Sequence, residues 1–219
     1  PSGNPELLCG YDPHSAWDGT PAGTGLPFSG YNYLCSGVTD SAAAATAMAS
    51  GIKTYNGAIG VDNCGMPVVS IARTAKNAGK STGVVTTVPF CHATPAAFAA
   101  HDLSRANCAA IAHQMLSDGD IDLVMGCGHP FYDSDGVSRP AAAYTYILEE
   151  DWASLSAGTF SGRSGVWTYI ESIDDFVSLV TSPGKLPLAG IPRVHETLQQ
   201  KRTAAVQGED LSNPSGIRF

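Results

Sequence analysis

The chain has 219 residues, a formal net charge of −8 at pH 7, 43% hydrophobic residues and 15% charged residues. This composition is typical of a folded domain and excludes an intrinsically disordered chain. The acidic balance, without any Lys/Arg cluster, argues against a nucleic-acid-binding surface. No apolar run approaches the ~20 residues that a membrane-spanning helix needs, so we expect no membrane span.

The first 30 residues are rich in Gly, Pro, Ser and Asn and predict loop structure. The chain begins with Pro1-Ser2 and not with Met, which indicates that it starts inside a longer gene product or after processing. The stretch Tyr31–Val38 predicts a short strand that leads into the next element.

An alanine-rich run over Ala42–Ala49 predicts a helix with Ser41 at or just before its first turn and with Gly51 as a left-handed cap at its end. Amide N–H groups in the first turn of a helix have no partner within it, and the helix dipole favours negative charge there. Ser41 therefore lies where an anion such as phosphate would bind. The alternative is that Thr39, Asp40 or Ser41 serves only as the helix N-cap.

Helices and strands are predicted to alternate further along the chain. Helical spacing over Pro67–Gly79 precedes a β-branched run over Ser81–Val88, which predicts a buried strand. A helix over Asn107–Leu116 and a strand over Ile121–Gly126 repeat the order. This alternation predicts an α/β fold with a central, mostly parallel β-sheet flanked by helices.

The loop after the Ser81–Val88 strand is predicted to continue as a helix with Pro95 at its first position, running to His101 and on toward Arg105. Beyond Gly128 the sequence is less informative. Residues 141–185, with a helix over Ile170–Val180, predict peripheral decoration of the sheet.

Leu186–Ile191 predicts a strand, and 194–205 a polar segment. We find no boundary of a second domain, so 1–219 is predicted to be one partial domain. It has a loop-rich start (1–30), a core (31–128), and a peripheral excursion and return (129–219).

Two motifs together resemble the alkaline phosphatase family. The first is VTDSAAAATAMASGIKTYNGAIGVD at 38–62, and the second is HATPAAFAAH at 92–101, closing with Ser104-Arg105. They occur in the family's order and at about its separation. The match is good up to Arg105, moderate up to Gly128 and weak beyond it.

The resemblance implies that Ser41 attacks phosphorus and becomes a phosphoserine. The sequence shows no Ser–His pair and no GxSxG pattern, so coordination to a divalent cation would have to activate the hydroxyl. The resemblance also implies that Arg105 binds phosphate through its forked guanidinium and that Asp40 orients Arg105 by a salt bridge. Taken alone, Arg105 would be a solvated charge and Asp40 a helix cap, and for Asp40 both roles can hold together.

The resemblance implies two Zn²⁺ ions and one Mg²⁺ ion. Ser41 would be a zinc ligand, and Thr94 corresponds to a hydroxyl ligand of the magnesium site. His92 stands where some family members carry a ligating Asp and others His, so it would either ligate the metal or tune the site from outside the ligand shell. The other histidines show no metal-ligand spacing and are expected to be structural: His14, His101, His113, His129 and His195.

The family's remaining ligands, an early Asp and later Glu, Asp and His residues, have no match in this chain. The acidic residues Asp118, Asp120 and Asp122 and the pair Asp174-Asp175 are predicted to lie in solvated turns. We therefore expect a central fragment that binds zinc poorly and is inactive alone.

The resemblance implies that the full-length protein is a periplasmic or secreted phosphomonoester hydrolase. It also implies a possible homodimer. Two alternatives stay open: a related metal-dependent phosphodiesterase or sulfatase-like hydrolase, and a non-catalytic relic of the fold.

Six cysteines form an even set without any CxxC spacing, which argues against a zinc ribbon or a redox motif. Disulfides in an exported protein and buried free thiols both fit this pattern, and the pairing stays open.

Overall fold

A computed structural model describes residues 18–20, 30–31 and 38–198. The loop predicted over 1–30 and the strand predicted over Tyr31–Val38 lie mostly outside the described residues. The end of the predicted polar segment 194–205 lies outside them as well.

The centre of the fold is a sheet of four parallel strands, which confirms the predicted α/β architecture. The strands in chain order are β1 (Gly83–Pro89), β2 (Leu123–Cys127), the short pair β3 (Ser161–Gly162) and β4 (Gly165–Val166), β5 (Thr168–Ile170) and β6 (Leu188–Gly190). The sheet order is β1-β2-β6-β5, and β3 and β4 form a separate antiparallel hairpin. In register, Val84 lies beside Val124, and Val124 lies beside Ala189.

Six helices connect and flank the strands in the described part of the chain. They are α1 (Ser41–Ser50), α2 (Ile71–Asn77), α3 (Ala93–Ala96), α4 (Cys108–Ser117), α5 (Glu149–Ser156) and α6 (Ile173–Ser178). Helix α1 has the predicted bounds, with Asp40 as its N-cap and Gly51 at φ 75° as its C-cap. Within the described ranges, no helix has both the length and the apolar character needed to cross a membrane.

Two helices are shorter than predicted. In each case, a residue of the predicted helix or just beyond it forms a backbone bridge to another segment. Helix α3 spans Ala93–Ala96, so the prediction of Pro95 as its first residue was wrong, and the helix ends before His101. Beyond it, Asp102 pairs with Ile59 through two backbone hydrogen bonds of 2.8 and 2.9 Å. Helix α2 begins at Ile71 rather than at Pro67, since Pro67 forms a bridge with Val61. Tertiary pairing of the backbone overrides local helix propensity at both places.

The prediction that residues 141–185 only decorate the sheet was wrong for two parts of that stretch. Strand β5 forms one edge of the sheet by pairing with β6. Trp152, Leu155 and Trp167 belong to the buried core, and the indole N–H of Trp167 donates to the carbonyl of Leu116 at 2.8 Å. A three-residue strand carries too little periodicity to be predicted from sequence.

The prediction of solvated turns was also wrong for Asp120 and Asp122, which are 3% and 8% exposed. The Asp120 carboxylate pairs with the guanidinium of Arg73, and Oδ1 of Asp122 lies 2.6 Å from Nζ of Lys76. Both cations lie on α2, so these ion pairs hold α2 against the start of β2. Oδ2 of Asp122 also accepts the backbone N–H of Thr82, just before β1, at 3.1 Å.

A polar network joins the segments that follow the carboxyl ends of β2, β5 and β6. Oε2 of Glu171 accepts a hydrogen bond from Nε2 of buried His129 at 2.9 Å and from the Tyr169 hydroxyl at 2.8 Å. Its Oε1 accepts two hydrogen bonds from Arg193, at 3.0 and 2.7 Å. His129 thus connects the segment after β2 to the segment after β5.

Candidate active site

The start of α1 is fixed by hydrogen bonds to the Asn56-Gly57 loop. Oδ1 of Asp40 accepts the backbone N–H of Ala43 at 2.9 Å, which caps the helix, and Oδ2 accepts the N–H of Gly57 at 3.0 Å. The amide of Asn56 bonds back to Asp40 N and to the carbonyl of Val38. Asp40 is thus the predicted helix cap, with its second oxygen turned away from the helix. Ser41, the first residue of α1, lies partly exposed beside it.

Arg105 lies against this helix start. Its Nη1 atom donates to Oγ of Ser41 at 2.7 Å and to Oδ2 of Asp40 at 3.1 Å. Its backbone N–H donates to the carbonyl of Gly57 at 2.7 Å. The expected Asp40–Arg105 salt bridge is therefore present, and Gly57 contacts both partners.

Asp40 is held in its ionised form. Burial opposes ionisation, but hydrogen bonds from the amides of Ala43 and Gly57 and from Arg105 outweigh it, so the pKa of Asp40 lies below its ordinary value. Ser41 therefore has a carboxylate–guanidinium pair and the free amide groups of a helix N-terminus around it. This arrangement can bind an anion that displaces the Ser41 contact of Arg105.

His92 completes the cluster from the loop after β1. Its Nε2 atom lies 3.1 Å from Nη2 of Arg105. A guanidinium only donates hydrogen bonds, so Nε2 is the acceptor and the imidazole is neutral, with its proton on Nδ1. Burial, followed by the positive charge of Arg105, keeps the pKa of His92 below its ordinary value.

Thr94 lies two residues beyond His92 in sequence. It is exposed on α3 and lines a groove of about 290 Å³ with Pro95, Phe98 and the β1 residues 83–86. It forms no hydrogen bond to Ser41 or Arg105 in the described structure. Hydrogen bonds thus join Asp40, Ser41, His92 and Arg105 in one cluster, and the role predicted for Thr94 stays a prediction.

Sequence reasoning assigned no role to Gly57 or to the cysteines beside the cluster. Cys91 and Cys108 form a disulfide, whereas Cys64 carries an exposed free thiol. Gly57 lies inside the first motif, and its φ of 90° is a conformation that favours glycine. No spacing in the sequence singles out Cys108 as the partner of Cys91.

The candidate metal ligands do not form a complete metal site among the described residues. Across the described ranges, no group of three or more His, Cys, Asp or Glu side chains is arranged to hold a metal ion. Nε2 of His92 is engaged by Arg105, and Thr94 lies in a separate groove. A zinc or magnesium centre at Ser41 would need further ligands.

Comparison with known proteins gives one consistent result. The sequence profile of the alkaline phosphatase family matches residues 29–154, which is more than half of the chain. Alkaline phosphatase 4 of Bacillus subtilis (strain 168) is 48% identical over 101 residues, covering 44% of this chain and 22% of that protein.

Solved structures agree with the sequence matches. The cold-active alkaline phosphatase of the psychrophile Shewanella sp. superposes with a TM-score of 0.56 and 34% identity, over 74% of this chain and 34% of that one. A mutant alkaline phosphatase from TAB5 with bound Mg superposes with a TM-score of 0.52 and 31% identity, over 73% and 40%. The chain thus spans well under half the length of these relatives. From the profile match and these superpositions, the chain belongs to the alkaline phosphatase family.

Proposed function

We propose that the protein to which this chain belongs hydrolyses phosphate monoesters, with Ser41 as the nucleophile. The observation that carries this proposal is the 2.7 Å contact between Nη1 of Arg105 and Oγ of Ser41. It puts a guanidinium, a good phosphate ligand, next to a hydroxyl at a helix N-terminus, where binding of a phosphoryl group is favourable.

In the first step, Oγ of Ser41 attacks phosphorus, the Ser41 O–P bond forms, and the bond from phosphorus to the ester oxygen breaks. The serine hydroxyl gives up its proton, the leaving oxygen takes up one proton to depart as the alcohol, and Ser41 becomes a phosphoserine. In the second step, a water molecule attacks phosphorus, inorganic phosphate leaves, and the Ser41 hydroxyl is restored.

The residues around Ser41 position the phosphoryl group. Arg105 exchanges its contact with the serine hydroxyl for two phosphate oxygens, which suits the fork of its guanidinium. Asp40 keeps the guanidinium in place through Oδ2, and neutral His92 accepts from its other end. These side chains thereby stabilise the charge that develops on the transferred group.

We further propose the family's metal complement, two Zn²⁺ ions and one Mg²⁺ ion, for the complete protein. Bound metal would supply Lewis-acid activation of the serine hydroxyl and of water. From this chain, Ser41 and Thr94 are the candidate ligands, and His92, whose Nε2 accepts from Arg105, would tune the site from outside the ligand shell. The other ligands would come from outside this chain.

We also propose that the protein is periplasmic or secreted, that it can form a homodimer, and that its substrates are phosphate monoesters rather than nucleic acid. The Cys91–Cys108 disulfide supports export, since disulfides persist in oxidising compartments. The net charge of −8 supports a small-molecule substrate over nucleic acid.

The experiment is hydrolysis of p-nitrophenyl phosphate by the full-length gene product. Ser41→Ala is expected to abolish turnover, and Ser50→Ala, at the other end of the same helix, is the matched control that keeps it. Acid quenching during turnover of a ³²P-labelled monoester is expected to trap label on Ser41.

Residues 1–219 alone are expected to be inactive. Turnover that survives Ser41→Ala would overturn the proposed nucleophile. A full-length protein that cleaves only diesters or sulfate esters, or that cleaves nothing, would favour the two alternative functions.

A further inference from the structure

The Cys91–Cys108 disulfide encloses the segment that supplies two of the four clustered side chains. The cysteines are 17 positions apart in sequence. His92 directly follows the first cysteine, and Arg105 precedes the second by three residues. The two ends of the segment meet at the candidate site, through the disulfide and through the 3.1 Å contact between His92 and Arg105.

At the first end of the segment, backbone hydrogen bonds fix the main chain of His92, whose N–H donates to the carbonyl of Pro89 at 2.8 Å and whose carbonyl accepts the N–H of Ala96 at 3.0 Å. His92 occupies the N-cap position of α3 but makes no capping hydrogen bond, because its imidazole contacts Arg105 instead. The buried side chains that follow are small, mainly the alanines at 93, 96, 97, 99 and 100. Methyl groups bury little area, so the hydrogen bond to Arg105 is the contact that directs the imidazole of His92. Cys91 itself is 0% exposed and anchors this end in the core.

At the second end, the backbone of Arg105 is held by the carbonyl of Gly57, but the start of the following helix has no side-chain cap. Asn107, the N-cap of α4, makes no side-chain capping bond, whereas the caps of α1, α2 and α6 all do. The disulfide at Cys108 ties down the first residue of α4 in its place. A turn at Asp102, which accepts from the backbone of Ser104 and the side chain of Asn107, sets the backbone beside Arg105. This turn does not connect Arg105 to His92.

We propose that the Cys91–Cys108 disulfide is a positioning element of the phosphate site, holding His92 against Arg105 so that the guanidinium stays directed at Ser41. The inference rests on the proposed function for its phosphate ligand, but the geometry it concerns belongs to this chain alone. It assigns a site role to a bond that would otherwise serve only the stability of the fold.

The test compares the chain of residues 1–219 with two variants that lack the disulfide. Cys91→Ala/Cys108→Ala removes both thiols, and Cys108→Ser changes only the partly exposed partner. Cys64→Ala, which removes the exposed thiol outside the enclosed segment, is the matched control. Peptide mapping under non-reducing conditions verifies the pairing in the unmodified chain.

The first measurement is the ¹⁵N–¹H signal of the Arg105 guanidinium, assigned by its loss in Arg105→Lys. We expect slow exchange with water in the unmodified chain and in Cys64→Ala. In both disulfide-free variants we expect faster exchange and averaged signals. The second measurement is a titration with inorganic phosphate, whose affinity is expected to fall about tenfold when the disulfide is removed, since small misplacements of a binding group are costly.

Each outcome decides the proposal. Unchanged Arg105 signals and phosphate affinity in the disulfide-free variants would overturn it. Loss of the folded far-UV signal in both variants would assign the disulfide to overall stability and would also overturn it. Absence of phosphate binding in the unmodified chain would count against the proposed function instead, while the Arg105 signals would still decide the positioning role.

Discussion

The backbone carbonyl of Gly57 accepts the backbone N–H of Arg105 at 2.7 Å, across 48 positions of sequence. The amide of the same glycine donates to Oδ2 of Asp40, the carboxylate oxygen that Arg105 also contacts. The loop at Gly57 therefore fixes both the backbone position of Arg105 and the orientation of the Asp40 carboxylate.

Replacing Gly57 is expected to damage the site more than the fold. At φ 90° a Cβ has open space but a strained backbone, so Gly57→Ala should cost about 1–2 kcal/mol of stability and shift Arg105. Gly51→Ala is the matched control, because Gly51 also has a positive φ and open space but caps the far end of α1. Urea unfolding should show a similar decrease in the free energy of unfolding for both variants. The kcat/KM of the full-length protein should fall only for Gly57→Ala. Equal kcat/KM for both variants would contradict the role of Gly57.

The two roles of Asp40 can be separated by substitution. Asp40→Asn keeps an oxygen that can cap α1 but removes the charge that holds Arg105, so kcat/KM should fall at least about tenfold with little loss of stability. Asp40→Ala removes both roles and should cost about 1 kcal/mol more in unfolding free energy. If Asp40→Asn keeps full activity, the salt bridge does not orient the arginine.

The fold should lose stability in acid through the Glu171 network. Burial opposes ionisation of Glu171, but hydrogen bonds from His129, Arg193 and Tyr169 outweigh it and hold its pKa below 4.5. Burial lowers the pKa of His129 below 6.5. Both groups bind fewer protons folded than unfolded, so their contribution is complete above pH 6.5 and falls as the pH drops, first through His129 and then through Glu171.

Urea unfolding of the chain between pH 7 and pH 4 measures this loss. Glu171→Gln should cost about 1–3 kcal/mol at pH 7, because it replaces charge-assisted hydrogen bonds, and should flatten the dependence below pH 5. Asp174→Asn, an exposed acidic residue on α6, is the control that should leave the curve unchanged. A stability that rises from pH 7 to pH 5 would contradict this account.

Zinc binding should distinguish the chain from its parent. Zinc sites take roughly three or four protein ligands, and the described residues contain no group of three acidic, cysteine or histidine side chains suited to a metal. After equilibrium dialysis, residues 1–219 should retain well under one zinc per chain, while the full-length protein retains zinc. Tight equimolar binding by the chain, lost in Ser41→Ala, would show that the ligand set is complete without other segments.

Much of this architecture could be predicted from local signals. The helix at Ser41 follows from an alanine run bounded by a cap and a glycine, and the parallel sheet follows from alternating helical and strand patterns. The pairing of Asp40 with Arg105, which are 65 residues apart, came from resemblance to the family and not from local physics.

The remaining features depend on contacts that sequence patterns do not encode. The sequence around Asp120 and Asp122 is typical of a turn. Both carboxylates are nevertheless buried, because ion pairs with cations on α2 compensate for their loss of hydration. Strand β5 has three residues and exists because β6 pairs with it. Cys91 could have paired with any of several cysteines, and only the folded positions select Cys108.

The common direction of the four strands divides the molecule into two rims. The segments that follow β1, β2, β5 and β6 all lie at one edge of the sheet, which therefore carries His92 and the Glu171 network. Loops at this edge can vary in sequence without changing the strands. On the opposite rim, Lys76 and Asp122 clamp the entrances to the strands. Substitutions in the loops of the first rim are expected to change substrate preference among phosphate esters. Substitutions on the second rim are expected to change only the melting temperature.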